Sequence, residues 1–220
     1  MAIGIRFSTV SLIMAAFLLI QLITLSSCSR DLRAGNHWIN GMQLRSEHRY
    51  DDAIREFNIA INIYTEYDMN YVARGETYYI KKEYDKAIGD FNIAIALNPK
   101  RDLAYSHRGD AYIGRKEYDK AISDFDRAIE LDPNLEIAYN GRGDAYMGKK
   151  EYDKAVGDYN RIIELASNPH WSAYYKRGYA YEGLGKKTEA ISDFEVVLRS
   201  SKNTQIIESA KEKIAELRTQ

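Results

Sequence analysis

Cys28 is the only thiol in the 220-residue chain, so no disulfide can close within it. A second stretch with chemical potential is Gly143-Asp-Ala-Tyr-Met-Gly148-Lys149-Lys150, which has the glycine and lysine spacing of a phosphate-cradling loop. It lacks the closing Ser or Thr, and such a loop must follow a strand. Gly143 instead falls at a helix-packing position and Lys149 near a turn, so phosphate chemistry is set aside. The four histidines, His37, His48, His107 and His170, stand in no metal-ligand spacing. No Ser–His–acid arrangement can be placed either. The chain is therefore read as a non-enzyme with no metal and no cofactor.

Charge argues in the same direction. Charged residues are 29% of the chain, yet the formal net charge is only −1. Both signs are interspersed, where a nucleic-acid binder would carry a one-signed basic face, so no nucleic-acid partner is expected.

The first 33 residues stand apart from the rest. Arg6 is the only charge before Arg30, and Phe7 to Leu25 is strongly apolar, densest from Leu12 to Ile20. A short basic start followed by an apolar stretch is an export signal, with an uncleaved membrane anchor as the alternative. At about 1.5 Å per residue a helix over this stretch is roughly 28 Å long, just enough to span a bilayer. The stretch ends in Leu25-Ser26-Ser27-Cys28, which resembles the bacterial lipobox: Leu, two small residues and Cys. That resemblance implies cleavage of residues 1–27, lipidation of Cys28, and a membrane-anchored protein exported to the cell envelope. With Ser29 after the cysteine, the expected site is the outer membrane facing the periplasm if the organism is Gram-negative. Cleavage would remove Arg6 and no acid, taking the net charge from −1 to −2. Lipidation would leave no free thiol, as suits an oxidising compartment.

The remaining residues follow a 34-residue period. Glu-Tyr-Asp-Lys-Ala recurs at Glu83, Glu117 and Glu151, with looser copies around Ala53 and Ala190. After a tether over 28–33, the units are 34–67, 68–101, 102–135, 136–169 and 171–204, with His170 inserted before the last. Position 8 is Gly41, Gly75, Gly109, Gly143 and Gly178; position 20 is Ala53, Ala87, Ala121, Ala155 and Ala190. Position 24 is Phe57, Phe91, Phe125, Tyr159 and Phe194. A glycine inside a helix costs about 1 kcal/mol relative to alanine, so five copies require close helix approach in return. The columns resemble the tetratricopeptide repeat, a helix-turn-helix with small residues at 8 and 20 and an aromatic at 24. The resemblance implies an all-α solenoid of five repeats wound as a right-handed superhelix.

Other columns have structural readings. Arg74, Arg108, Arg142 and Arg177 at position 7 each have an Asp 16 residues on, which predicts an ion-pair ladder between paired helices. Twelve of the 18 tyrosines fall at positions 4, 11 and 17 and are read as inter-helix packing. Asp51, Asp85, Asp119, Asp153 and Thr188 at position 18 are placed to cap the second helices. Gly114 is expected in a turn, tolerant of substitution. Over 205–220, Ile207, Ala210, Ile214 and Leu217 form one stripe opposite Glu208, Lys211, Glu212 and Glu216, an amphipathic capping helix.

In tetratricopeptide proteins positions 2, 5, 9 and 12 of the first helices face a concave surface. The resemblance thus implies a partner-binding face of Trp38, Met69, Val72, Glu76, Tyr79, Leu103, Asp110, Ile113, Ile137, Asn140, Asp144, Met147, Tyr175 and Tyr179. The Lys at 5 and Asn at 9 with which chaperone-binding members clamp a carboxylate are absent from every unit. What is left is an acidic row, Glu76, Asp110 and Asp144, beside apolar and aromatic contacts. It suits a peptide or helix with basic and apolar groups, unless neighbouring bases neutralise the acids. The functional expectation is an envelope adaptor or scaffold that binds other proteins and is held to the membrane. The alternatives are a homo-oligomeric structural protein and a cytoplasm-facing co-chaperone on an uncleaved anchor.

Overall fold

The computed structural model describes residues 32–166 and 170–219. Cys28 and the residues read as a signal peptide lie outside that range. The described residues form eleven helices and no strand. Five first helices are α1 (residues 32–46), α3 (Asp68–Ile80), α5 (Asp102–Gly114), α7 (Glu136–Lys149) and α9 (Trp171–Gly183). Five second helices follow them in turn: α2 (Tyr50–Ile63), α4 (Tyr84–Leu97), α6 (Tyr118–Leu131), α8 (Tyr152–Leu165) and α10 (Lys187–Ser200). The last is α11 (Thr204–Thr219). Consecutive pairs pack as a tetratricopeptide-repeat solenoid within two compact units, one through Thr77 and one from Tyr78.

The small and aromatic columns build the core. All five position-20 alanines and all five position-24 rings are completely buried. Rings lie on bare glycines of their own first helices. A Cβ on Gly109 would meet Phe125 at 2.8 Å, one on Gly143 would meet Tyr159 at 2.7 Å, and one on Gly178 would meet Phe194 at 2.9 Å. In the first unit Gly41 and Phe57 make the same contact at 2.5 Å. Side-chain volume at position 8 would therefore push the helices of a pair apart.

Each turn between paired helices is closed by one residue in the left-handed region: His48, Lys82, Lys116 and Lys150 at φ near 60°, and Gly185 at 72°. The next amide reaches back to the helix end, as Glu83 N donates to Tyr78 O and Glu117 N to Tyr112 O, both at 2.9 Å. This is the six-to-one closure of a helix C-terminus.

The Arg column forms the expected ladder within the second unit and adds a partner. Arg108 grips Asp124 with two donors at 2.6 and 2.8 Å and also donates to Asn92 at 2.7 Å. Arg142 does the same with Asp158 and, one repeat back, Asp126 at 2.6 Å. Arg177 holds Asp193 and Asn160. In the first unit Arg74 donates to Asn58. Each of these guanidiniums also lies over the position-4 tyrosine ring, at 5.1 to 5.7 Å. Burial opposes the charge on both Arg142 and Asp158; the pairing outweighs it at Arg142, whereas Asp158 stays above the ordinary carboxylate range.

Two local expectations are corrected. The position-18 acids are not caps: α4, α6 and α8 have Glu83, Glu117 and Glu151 at the N-cap, with no side-chain capping bond. Asp85, Asp119 and Asp153 lie one residue inside the helix, where they favour the positive helix end and meet bases of the next repeat. Arg115 pairs with Asp85, and Lys149 with Asp119 at 2.7 Å. Gly114 is exposed but not free, since a Cβ there would meet the Tyr84 ring at 2.5 Å. Gly148 and Gly183 stand in the same relation to Tyr118 and Tyr152, which gives the position-17 tyrosines their packing role. The loop-like run Gly143–Lys150 is helix nearly to its end: Gly143 receives Tyr159, and Lys149 is paired with Asp119 and Glu151.

Helix α11 closes the second unit. Its Ala210, Ile214 and Leu217 are buried with Phe194 and Val197, joined by a partly buried Ile206. Tyr175 Oη is 2.9 Å from Ser209 Oγ, and Lys213 donates to Glu182 at 2.8 Å.

Candidate partner-binding face

Burial sorts the predicted face. Val72 is only 2% exposed, and its position-5 equivalent Ser106 only 1%, so neither offers surface to a partner. In the first unit Trp38 and Met69 are partly buried, and Glu76 is held by Arg45. In the second unit Tyr79 and Ile137 are exposed, while Leu103, Asp110, Ile113, Asn140, Asp144, Met147, Tyr175 and Tyr179 are half-buried. Tyr175 and Tyr179 pack edge-on against each other and against Phe194, so much of their ring area is already in use.

Two aspartates of the row, one repeat apart, have different surroundings. Asp144 accepts the Tyr159 hydroxyl at 2.8 Å. It also accepts Lys176 Nζ at 2.6 and 2.8 Å, and the same ammonium donates to Asn140 at 2.8 Å. These donors come from position 24 of its own repeat and position 6 of the next. For Asp110 the residues at those places are Phe125 and Gly141, and neither side chain can donate. Gly141 has no room for one, because its Cβ would stand 2.2 Å from the Phe125 ring. Among the described residues the basic side chain beside Asp110 is the His107 ring, with Nδ1 at 3.9 Å, beyond hydrogen-bond range. The Asp110 side chain keeps 36% of its surface.

Tyr79 lies within the field of these carboxylates. Its phenol is pushed up first by burial, then by the negative charges of Asp110, Tyr84 and Asp144. Tyr79, Asp110 and Asp144 thus stand on the successive first helices α3, α5 and α7, with both carboxylates acting on the phenol through their charge. The row is thus mostly neutralised by its own bases, with Asp110 left open. Columns read singly hide this. The signal is the pairing of columns 6 and 24, where Lys176 and Tyr159 at one repeat become Gly141 and Phe125 at the other.

Chemically the face can hold a cation and cover apolar surface. Among the described residues no cluster of His, Cys, Asp and Glu could hold a metal, and no helix is long and apolar enough to cross a membrane.

Residues 109–150 match the TPR repeat family and residues 140–203 the tetratricopeptide repeat family. No curated protein sequence matches the chain. Among solved structures the chain is similar to a thermophilic TPR protein of Thermus thermophilus, at 18% identity and a TM-score of 0.69, over 83% of this chain and 99% of that one. It is similar to MamA at 26% identity and a TM-score of 0.65, over 84% and 94%. It is also similar to the first TPR of Spaghetti bound to an HSP90 peptide, at 26% identity and a TM-score of 0.52, over 54% and 94%. Repeats of this kind are protein–protein interaction modules, and some bind peptides.

Proposed function

We propose that the chain is a membrane-tethered adaptor whose second unit holds a basic and apolar segment of another envelope protein. The observation that carries the partner chemistry is Asp110, the row's carboxylate with no hydrogen-bond donor among the described residues. Lys176 beside Asp144 and Asn140 is the internal pattern for how this face takes an ammonium group. A partner Lys or Arg would occupy the corresponding place beside Asp110, with Tyr79 and Ile113 covering its apolar neighbours. The tether is the reading of Leu25–Cys28 as a lipobox, with lipid on Cys28 and placement in the cell envelope. Two acyl chains give stable anchoring where one is marginal. Absence of the Lys and Asn clamp separates the proposed ligand from an acidic C-terminal tail.

The binding half is tested with fluorescent peptides carrying Lys or Arg between apolar residues, against the same peptides with Glu. The basic set should bind and weaken with salt, since exposed charges are screened over about 8–10 Å at 0.1–0.15 M. Asp110→Asn should weaken binding about tenfold, equivalent to ~1.4 kcal/mol. Equal affinity of wild type and Asp110→Asn for the basic peptides would remove Asp110 from the site. The anchoring half is tested by fatty-acid labelling: Cys28→Ala should stay unprocessed and unlabelled, and an intact mass beginning at Met1 in wild type would refute cleavage.

A further inference from the structure

The first unit carries an apolar surface that its own helices leave uncovered. Leu32 is 65% exposed, Ile39 58%, Tyr64 39% and Tyr67 44%. Leu32, Gly35 and Ile39 lie three and four residues apart, so they share one stripe of α1. The two tyrosine rings stack at 5.9 Å with planes 9° apart. Between α1 and these tyrosines is a cavity of about 370 Å³ lined by Ala34, Gly35, Trp38, Ile39, Tyr64 and Tyr67. Asn70 completes the lining, and among the described residues Trp38 Nε1 and Asn70 Oδ1 find no hydrogen-bond partner.

Position in the chain identifies what covers this surface. Leu32 is four residues beyond Cys28 and seven beyond the end of the apolar run at Leu25. At up to ~3.6 Å per residue, Leu32 stays within roughly 14 Å of a lipid on Cys28. A surface tied that closely to a bilayer meets the headgroup region before any soluble partner. Its residue types match that region: Trp and Tyr concentrate at membrane interfaces, with an apolar body and a polar tip. Arg33 follows Leu32 and Glu66 precedes Tyr67 in sequence, one charge of each sign, so contact is apolar and aromatic in origin and does not require anionic lipid.

We infer that Leu32, Ile39, Tyr64 and Tyr67, with Trp38 behind them, form a lipid-contacting surface that seats the first repeat on the membrane. This inference rests on the anchoring reading above, and the experiment separates the two. The full chain with Trp171→Phe, which leaves Trp38 as the only tryptophan, is reconstituted in phosphatidylcholine vesicles with and without acyl-chain bromination. Flotation reports the anchor, and quenching of Trp38 by brominated lipid reports the surface. The expected result is flotation with loss of most Trp38 emission, insensitive to salt. Leu32→Asn, Ile39→Asn, Tyr64→Ser and Tyr67→Ser together should leave flotation and melting intact and restore the emission. Flotation without quenching in the otherwise wild-type chain overturns the surface and leaves the anchor standing. Loss of flotation overturns both. Trp38 protection that rises with protein concentration rather than with lipid assigns the surface to a second copy and also overturns the inference.

Discussion

Asp110 on α5 and Asp144 on α7 share residue type, register, helix face and degree of exposure, yet only one carboxylate is open to a partner's cation. Asp144 is held by a ring hydroxyl and an ammonium; Asp110 faces a ring without a hydroxyl and a glycine. A repeat fold copies the scaffold from unit to unit, whereas the chemistry at a copied place depends on residues 15 and 32 positions away. Near-identical repeats can thus carry one binding position and one structural brace.

The largest expected effect attacks what the two places share. Gly109→Leu and Gly143→Leu each force a side chain into a position-24 ring and should cost at least ~1–3 kcal/mol through overpacking. Thermal melting checks this, and an unchanged midpoint for either would refute the ring-on-glycine packing beneath both aspartates. Gly114→Ala is the matched control. It should cost less than either, because the half-buried Tyr84 ring has more room to shift than the fully buried Phe125 and Tyr159 rings, but it should not be neutral.

Those shared features are legible in the amino-acid sequence. Gly41 to Gly178, Ala53 to Ala190 and Phe57 to Phe194 each repeat one demand of helix packing, and a demand met five times in register leaves little freedom. The Arg108–Asp124 rung is legible for the same reason, though its third contact to Asn92 is not, because it crosses to the preceding repeat. Periodicity misplaces Asp119 as a cap, since helix starts shift by a residue or two without changing any apolar column. The openness of Asp110 is written in Phe125 and Gly141 but needs two columns taken together with the close packing at Gly141. The neutralisation of Glu76 by Arg45 requires geometry, because 31 residues separate them.

The next effect exchanges the hydroxyl. Tyr159→Phe removes a buried donor to a charged acceptor and should cost about 1–2 kcal/mol, as Asp144 retains Lys176. Phe125→Tyr places a hydroxyl in the same register beside Asp110 and should weaken binding of basic peptides without raising stability. If peptide affinity is unchanged by Phe125→Tyr, the ring at position 24 does not decide which aspartate is open.

Smaller in stability, but opposite in sign for binding, is Lys176→Met. The pair it breaks is one-third exposed on both sides, and exposed pairs contribute about 0–1 kcal/mol. Melting should therefore move little, while Asp144, left with the Tyr159 hydroxyl alone, carries an unneutralised charge and affinity for peptides with two basic residues should rise. A fall in affinity would assign the peptide site to Lys176 itself.

The smallest effect is electrostatic and is read at Tyr79. Its phenol is held above the ordinary tyrosine range by burial first and by the charges of Asp110 and Asp144 after it. A negative neighbour disfavours the phenolate, so removing that charge lowers the pKa from its raised value. Asp110→Asn should move the Tyr79 titration to lower pH, followed by NMR with ring-labelled tyrosine and assigned through Tyr79→Phe. Lys176→Met should act the other way, because it strips the neutralising cation from Asp144 and leaves that carboxylate's field unbalanced. High salt should shrink both shifts, leaving the part due to burial. If Asp110→Asn leaves the Tyr79 titration where it was while Asp144→Asn lowers it, the open carboxylate does not face Tyr79. The basic group of a partner would then lie against a different wall of α5.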